Sequence, residues 1–165
     1  MAGIALMLIP EDAVGDEHLT LGFFGDTGAA VQGMKPYVEL GLKLIAFEFA
    51  PTGKVNGVGI FNLPDGYASV QLVDSIEVEY LRAKLQRVLQ GDGNILAPVN
   101  TPLKSEHGFI PHMTMAIFSG EEYPGVAPIE GRDLKFDRLR VGFGDKYTDL
   151  WFEGFNPNVQ HAIRR

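Results

Sequence analysis

Twenty glycines and ten prolines are spread along this chain of 165 residues and cut it into short pieces. Glycine and proline punctuate a chain, one by supplying turn geometries and the other by removing a backbone donor. Most of the pieces between them are apolar or alternate apolar with polar, which is the pattern of strands. Residues 3–9 read as a buried strand, and HLTLGFFG (18–25) as a second. LIAFEFA (44–50) and VNGVGIF (55–61) follow, with Pro51-Thr52-Gly53 as the turn between them. YASVQLV (67–73) and FIPHMTMAIF (109–118) come next, and LKFDRLRVGF and TDLWFEGF form a hairpin across Gly144-Asp145-Lys146.

One stretch escapes the punctuation. Over residues 76–90, Val78, Leu81, Leu85, Val88 and Leu89 make a single apolar stripe at helical spacing. Asp74 or Ser75 is placed to cap its start, Glu77 lies in its first turn, and Gly91 is placed to end it. A weaker helix is expected within 27–43, where Val31, Met34 and Val38 are suitably spaced but Gly33 and Pro36 interrupt. Strands outnumber helices, and the helices separate groups of strands. The expectation is an α+β chain, mainly antiparallel sheet with helices on one face.

Hydrophobic residues make up 45% and charged residues 21%, the balance of a folded globule. The length suits a single domain over 1–165, with 155–165 as an exposed tail. GIALMLIP near the start lacks a basic flank and a cleavage site, so it reads as strand rather than signal peptide. No apolar run is long enough to span a bilayer, and no membrane contact is expected. The lack of cysteine excludes disulfides, thiolate metal sites and a Cys nucleophile, and fits a cytoplasmic setting. The net charge of −7 opposes a grip on long nucleic acid. RDLKFDRLR (132–140) is the basic exception and reads as a strand with a solvated charged face.

Chemistry enters through the histidines. There are four, and two of them open nearly the same phrase, HLTLGFF from His18 and HMTMAIF from His112. Side chains two apart on a strand share a face, so His18 pairs with Thr20 and His112 with Thr114. Leu19, Leu21 and Phe23, and likewise Met113, Met115 and Ile117, take the other face, which is expected to pack on the helices. The His/Thr face is left to line a cleft. An imidazole exchanges protons near neutrality, and a hydroxyl donates to a phosphoryl oxygen. Two such half-sites facing each other provide a base, an acid and two anchors for phosphodiester cleavage.

Other residues carry weaker signals. By the same period-two rule Phe24 and Phe118 fall on the histidine face and would wall the cleft. Lys104 and Arg140 are the basic residues placed to meet a phosphate. Tyr147 and Trp151 on the last strand suit base stacking, though core packing is the simpler expectation. His107 reads as an exposed loop residue and His161 as part of the tail. The motif partners are threonines rather than carboxylates, and no helical His spacing occurs, so neither metal nor other cofactor is expected.

The paired phrases resemble those of the 2H phosphoesterase superfamily, also called LigT-like or 2′-5′ RNA ligase-like. Its first motif is commonly HLTLxFLG and here is HLTLGFFG; its second is commonly FxPHxTLA and here is FIPHMTMAI, with Phe109 and Pro111 in place. The motifs lie 94 residues apart, from 18 to 112. The resemblance implies a bilobal α+β fold, with two antiparallel sheets related by a pseudo-twofold around a central cleft and helices outside. It also implies a metal-independent phosphodiesterase, with His18 and His112 as acid and base in either order and Thr20 and Thr114 on the phosphate. The implied substrate is a small nucleotide or RNA end: a 2′,3′-cyclic phosphate, a 2′-5′ linkage or a cyclic oligonucleotide. Phage-encoded members that degrade cyclic oligonucleotide immune signals are one branch, and a binding module of the same fold without turnover is the other alternative.

Overall fold

Leu6 and Leu8 are almost fully buried while Ala5 and Met7 are less so, the signature of a strand with one covered face. They belong to β1 (Ile4–Pro10) of the computed structural model, which describes residues 4–24, 49–90, 109–120, 131–143, 145–152 and 155. Among the described residues six more strands follow: β2 (Leu19–Phe24), β3 (Thr52–Leu63), β4 (Gly66–Asp74), β5 (His112–Ser119), β6 (Arg132–Phe143) and β7 (Lys146–Trp151). Helix α1 (Ile76–Gln90) lies between β4 and β5.

Every strand pairing is antiparallel, and the strands form one sheet in the order β1-β2-β5-β4-β3-β6-β7, with β1 also paired to β6. The pairings therefore close into a circuit of two groups. One group is β2-β1-β6-β7 and the other β5-β4-β3. They join at two thin seams. At one, Thr52 to Val55 of β3 pair with Lys135 to Arg132 of β6. At the other, Leu19 of β2 pairs with Met113 of β5.

One face of this sheet is sealed. Val78, Leu81 and Leu85 of α1 pack in a common core with Leu6, Leu8, Leu19, Val55, Val73, Met113, Leu134, Phe136 and Leu139. Burying each such side chain contributes about 1.5–3 kcal/mol. The helix has the bounds its stripe predicts, and Ser75 caps it, its Oγ accepting from the Val78 amide at 3.0 Å. The hairpin of β6 and β7 is also where the sequence places it.

The turn expected at Pro51-Thr52-Gly53 is corrected: Thr52 and Gly53 open β3. The β6 seam holds them straight, and both the amide and the hydroxyl of Thr52 donate to the Glu77 carboxylate of α1. A Cβ on Gly53 would stand 2.9 Å from that of Ser75, so the glycine serves close approach rather than a turn. The expected helix in 27–43 and most of the expected strand at 44–50 lie outside the described residues. Phe49 and Ala50 are described and are not strand. Phe155, where an exposed tail was expected to begin, is half-buried against the core.

Candidate active site

The seam between β2 and β5 brings the two histidine phrases together. Leu19 and Met113 pair there with 0% and 2% exposure, so both point into the core. Their flanking residues take the opposite face. Antiparallel geometry around that one pair turns Thr20 toward His112 and His18 toward Thr114. The histidines occupy one diagonal and the threonines the other. Diagonal neighbours in such a pair lie about 7–8 Å apart, a gap that a phosphate fills. His18, Thr20 and His112 are half-exposed, and Thr114 is exposed.

Both rings are held alike. His18 Nδ1 lies 2.6 Å from the carbonyl oxygen of Asp16, and His112 Nδ1 lies 2.7 Å from that of Ile110. Each partner is two residues upstream. A carbonyl only accepts, so Nδ1 carries the proton and donates in both cases. The working nitrogen is then Nε2 on each ring, free to take a proton when neutral and to give one when charged. The Phe61 ring of β3 meets His112 edge-on, with centroids 4.7 Å apart. Phe61 pairs with the small Ala68, which leaves its ring room to lean toward His112.

A matched irregularity follows each threonine. In β2, Thr20 pairs with Met7 and Gly22 with Leu6, so Leu21 is skipped. In β5, Thr114 pairs with Val70 and Ala116 with Ser69, so Met115 is skipped. Each skip is a β-bulge and reverses the face that simple alternation would give to everything after it. This corrects the period-two count. Phe118 pairs with Tyr67, in step with Met113 rather than His112. Phe24 pairs with Ile4 in the backbone register, and its side chain lies outside the described residues. Met115 and Ile117, expected on the packed face, are 43% and 71% exposed.

The histidine face continues across the first group of strands. Thr20, Met7, Arg140 and Asp149 form one cross-strand row. Arg140 donates from Nε and a terminal nitrogen to both Asp149 oxygens at 2.7 and 3.0 Å, and its guanidinium lies 4.0 Å over the Tyr147 ring. The hydrogen bonds to that carboxylate push the Arg140 pKa above the ordinary arginine value. Arg138, which the sequence reading did not single out, sits 4.7 Å over Trp151 and donates to Asp137 at 2.9 Å. Its Nε lies 3.2 Å from Asp149 without the alignment of a hydrogen bond. Burial pushes the Asp137 carboxyl up. Arg140, Tyr147 and Trp151 thus share the face of His18 and Thr20, and Tyr147, at 61% exposure, is no core residue. Lys104, His107 and His161 lie outside the described residues.

The loop before β2 is anchored too. Arg132 donates to Glu17 at 2.8 and 3.1 Å and to Asp12 at 3.1 Å. These bonds brace the segment whose Asp16 carbonyl holds His18, and the guanidinium keeps the Glu17 carboxyl below its usual 4.5. Among the described residues, no three His, Asp or Glu side chains converge as a metal site would need. At the β2–β5 seam this face offers two imidazoles for proton transfer and two hydroxyls for hydrogen bonding.

No protein-family model matches the chain, and no curated protein matches it in sequence. Solved structures do match in fold. TT0787 of Thermus thermophilus superposes with a TM-score of 0.62 at 17% identity, over 92% of this chain and 99% of that one. E. coli LigT complexed with 3′-AMP superposes with a TM-score of 0.55 at 14% identity, over 90% of this chain and 95% of that one. The chain has the LigT-like fold. E. coli LigT complexed with NADP+ gives a TM-score of 0.51 at 15% identity, over 90% of this chain and 95% of that one. The resemblance carried in the sequence by two short phrases is therefore joined by a likeness of fold over about nine-tenths of the chain. A LigT-like fold at this identity speaks for architecture, and the chemistry rests on the residues themselves. No helix among the described residues is long and apolar enough to cross a membrane.

Proposed function

We propose that this chain is a metal-independent phosphodiesterase that cleaves a small nucleotide or RNA-end phosphodiester, with His18 and His112 as its acid and base. The observation that carries this is the matched pair of Nδ1–carbonyl bonds, which leaves Nε2 of each ring as the proton-exchanging atom at one seam. His112 takes the proton from the attacking hydroxyl or water. His18 gives its proton to the departing oxygen as the P–O bond breaks. The diagonal arrangement serves the reverse assignment equally well. The hydroxyls of Thr20 and Thr114 donate to the non-bridging oxygens, where charge grows in the transition state.

The complexes of LigT with 3′-AMP and NADP+ support a small nucleotide as ligand, and the net charge of −7 favours the same class over long RNA. Arg140, Tyr147 and Trp151 would meet the part of the nucleotide beyond the reacting phosphate. The two strand groups, each supplying one motif to the cleft, would be the pseudo-twofold lobes of one domain working in the cytoplasm.

The test is incubation with 2′,3′-cyclic nucleotides, 2′-5′-linked dinucleotides and cyclic dinucleotides in the presence of EDTA. Product from any of these, lost in His112→Ala, is the expected result. Protection against heat by the same compounds without product would overturn turnover and leave a binding module.

A further inference from the structure

Arg82 of α1 touches the supports of both half-sites. Its Nε donates to the carbonyl oxygen of Leu21 at 3.3 Å, and its guanidinium lies 4.2 Å over the ring centroid of Phe109. Leu21 is the residue bulged out of β2 just after Thr20. Phe109 stands three residues before His112 and next to Ile110, whose carbonyl holds the His112 ring.

The partnership has a physical reason. A bulge takes its residue out of the regular ladder, and at Leu21, which is 2% exposed, the peptide groups need partners from the protein. Arg82 donates to that carbonyl in the plane of its guanidinium and uses the face of the same group against an aromatic ring. Lysine cannot do both, because its ammonium is a point donor without a flat face. Burial pushes the Arg82 pKa below the ordinary arginine value, yet an arginine stays charged in neutral solution. The two strand groups meet at this seam through the Leu19–Met113 pair. A rigid bridge from the β2 bulge to the segment entering β5 therefore acts where the ladder itself is thinnest.

We infer that Arg82 is a positioning residue: it fixes the separation of the two imidazoles by bracing the Leu21 bulge against Phe109. This rests on the proposed acid–base roles of His18 and His112. The contacts of Arg82 are with Leu21 and Phe109 rather than with either ring, so its effect falls on their alignment. Misplacement of reacting groups by about 1 Å costs on the order of 100-fold in rate.

The experiment compares the wild type with Arg82→Met, which keeps the apolar stem, Arg82→Ala and Arg82→Lys. Each is assayed below its own melting temperature on the diester that the wild type cleaves. Arg82→Met and Arg82→Ala should lose about 10- to 100-fold in kcat with KM little changed, Arg82→Lys should recover only part, and added methylguanidine should raise the rate of Arg82→Ala. Imidazole 15N spectra should show both Nδ1–H signals displaced in Arg82→Met. An unchanged kcat per folded molecule in Arg82→Met, with only the melting temperature lowered, would overturn the inference. If the wild type cleaves none of the diesters, the proposed function fails by itself. The spectra still decide the brace, since undisturbed ring signals in Arg82→Met would refute it.

Discussion

Leu19 lies directly across from Met113, and this cross-strand pair links the strand that carries the first histidine phrase to the strand that carries the second. Both side chains are sealed beneath the sheet, at 0% and 2% exposure. Their burial sets which way His18, Thr20, His112 and Thr114 face. The apolar residue inside each motif is thus as necessary to the site as the polar ones, because a strand cannot turn one neighbour inward without turning the next outward.

Met113→Ala should therefore do more than open a cavity. Truncating a buried Met costs about 2–5 kcal/mol, readable from urea denaturation. Turnover should fall beyond what stability explains, because the seam loosens. Leu85→Ala in α1 removes a comparably buried side chain, at 3% exposure, that is not part of the β2–β5 ladder. It should lower stability by a similar amount while leaving kcat near the wild-type value.

His18→Ala and His112→Ala should each reduce kcat by about 100-fold or more, the usual worth of a positioned acid or base. The double variant should be little slower than the worse single one, since groups acting as a unit are not additive. Melting temperatures should stay close to that of the wild type, because both rings are half-exposed. Rates that multiply independently would show that the two imidazoles do not work on one phosphate.

The Glu17–Arg132 pair predicts a signed pH dependence. The folded-state pKa of Glu17 is depressed below 4.5, first by its hydrogen bonds from Arg132. A depressed carboxylate adds stability above its unfolded pKa and loses it as the pH falls through the folded value. Glu17→Gln should cost about 1 kcal/mol at pH 7, since the pair is largely shielded but still near the surface. The difference from wild type should shrink to nothing once the pH is well below 4.5. Denaturation midpoints across that range check it, and a gap that widens in acid would contradict the assignment.

Gly66 tests the register of β4 and β5. A Cβ at that position would stand 1.9 Å from the Phe118 carbonyl oxygen, so backbone must move. Gly66→Ala should destabilise by about 1–3 kcal/mol, as overpacking does. Gly15→Ala makes a useful contrast: its cost would come from a φ of +64° and not from crowding, since nothing lies within 4 Å.

Much of this was legible in the sequence. The stripe of Val78, Leu81 and Leu85 marks α1 because helical spacing and a capping serine agree locally. The shared faces of His18 with Thr20 and of His112 with Thr114 follow from strand geometry alone. What could not be read depends on partners far away in the chain. The bulges at Leu21 and Met115 are set by registers with Leu6–Met7 and Ser69–Val70, so simple alternation puts Phe118 on the wrong face. Phe61 and Arg82 give no signal because nothing local marks them; each matters only through a contact made across the fold. Arg138 is one charge among several in a charged run, and only its pairing with Trp151 shows that it shares the histidine face.

The twin bulges act as phase shifters in the two motif strands. Upstream of each, a strand spends its outward positions on proton chemistry; downstream, the same strand exchanges odd positions for even without leaving the sheet. The ladder of β5 already runs as though Met115 were missing. Deleting that residue would straighten the strand and still leave Phe118 across from Tyr67, on the side it now occupies. Loss of one residue from a strand ordinarily inverts all that follows; here it would be absorbed.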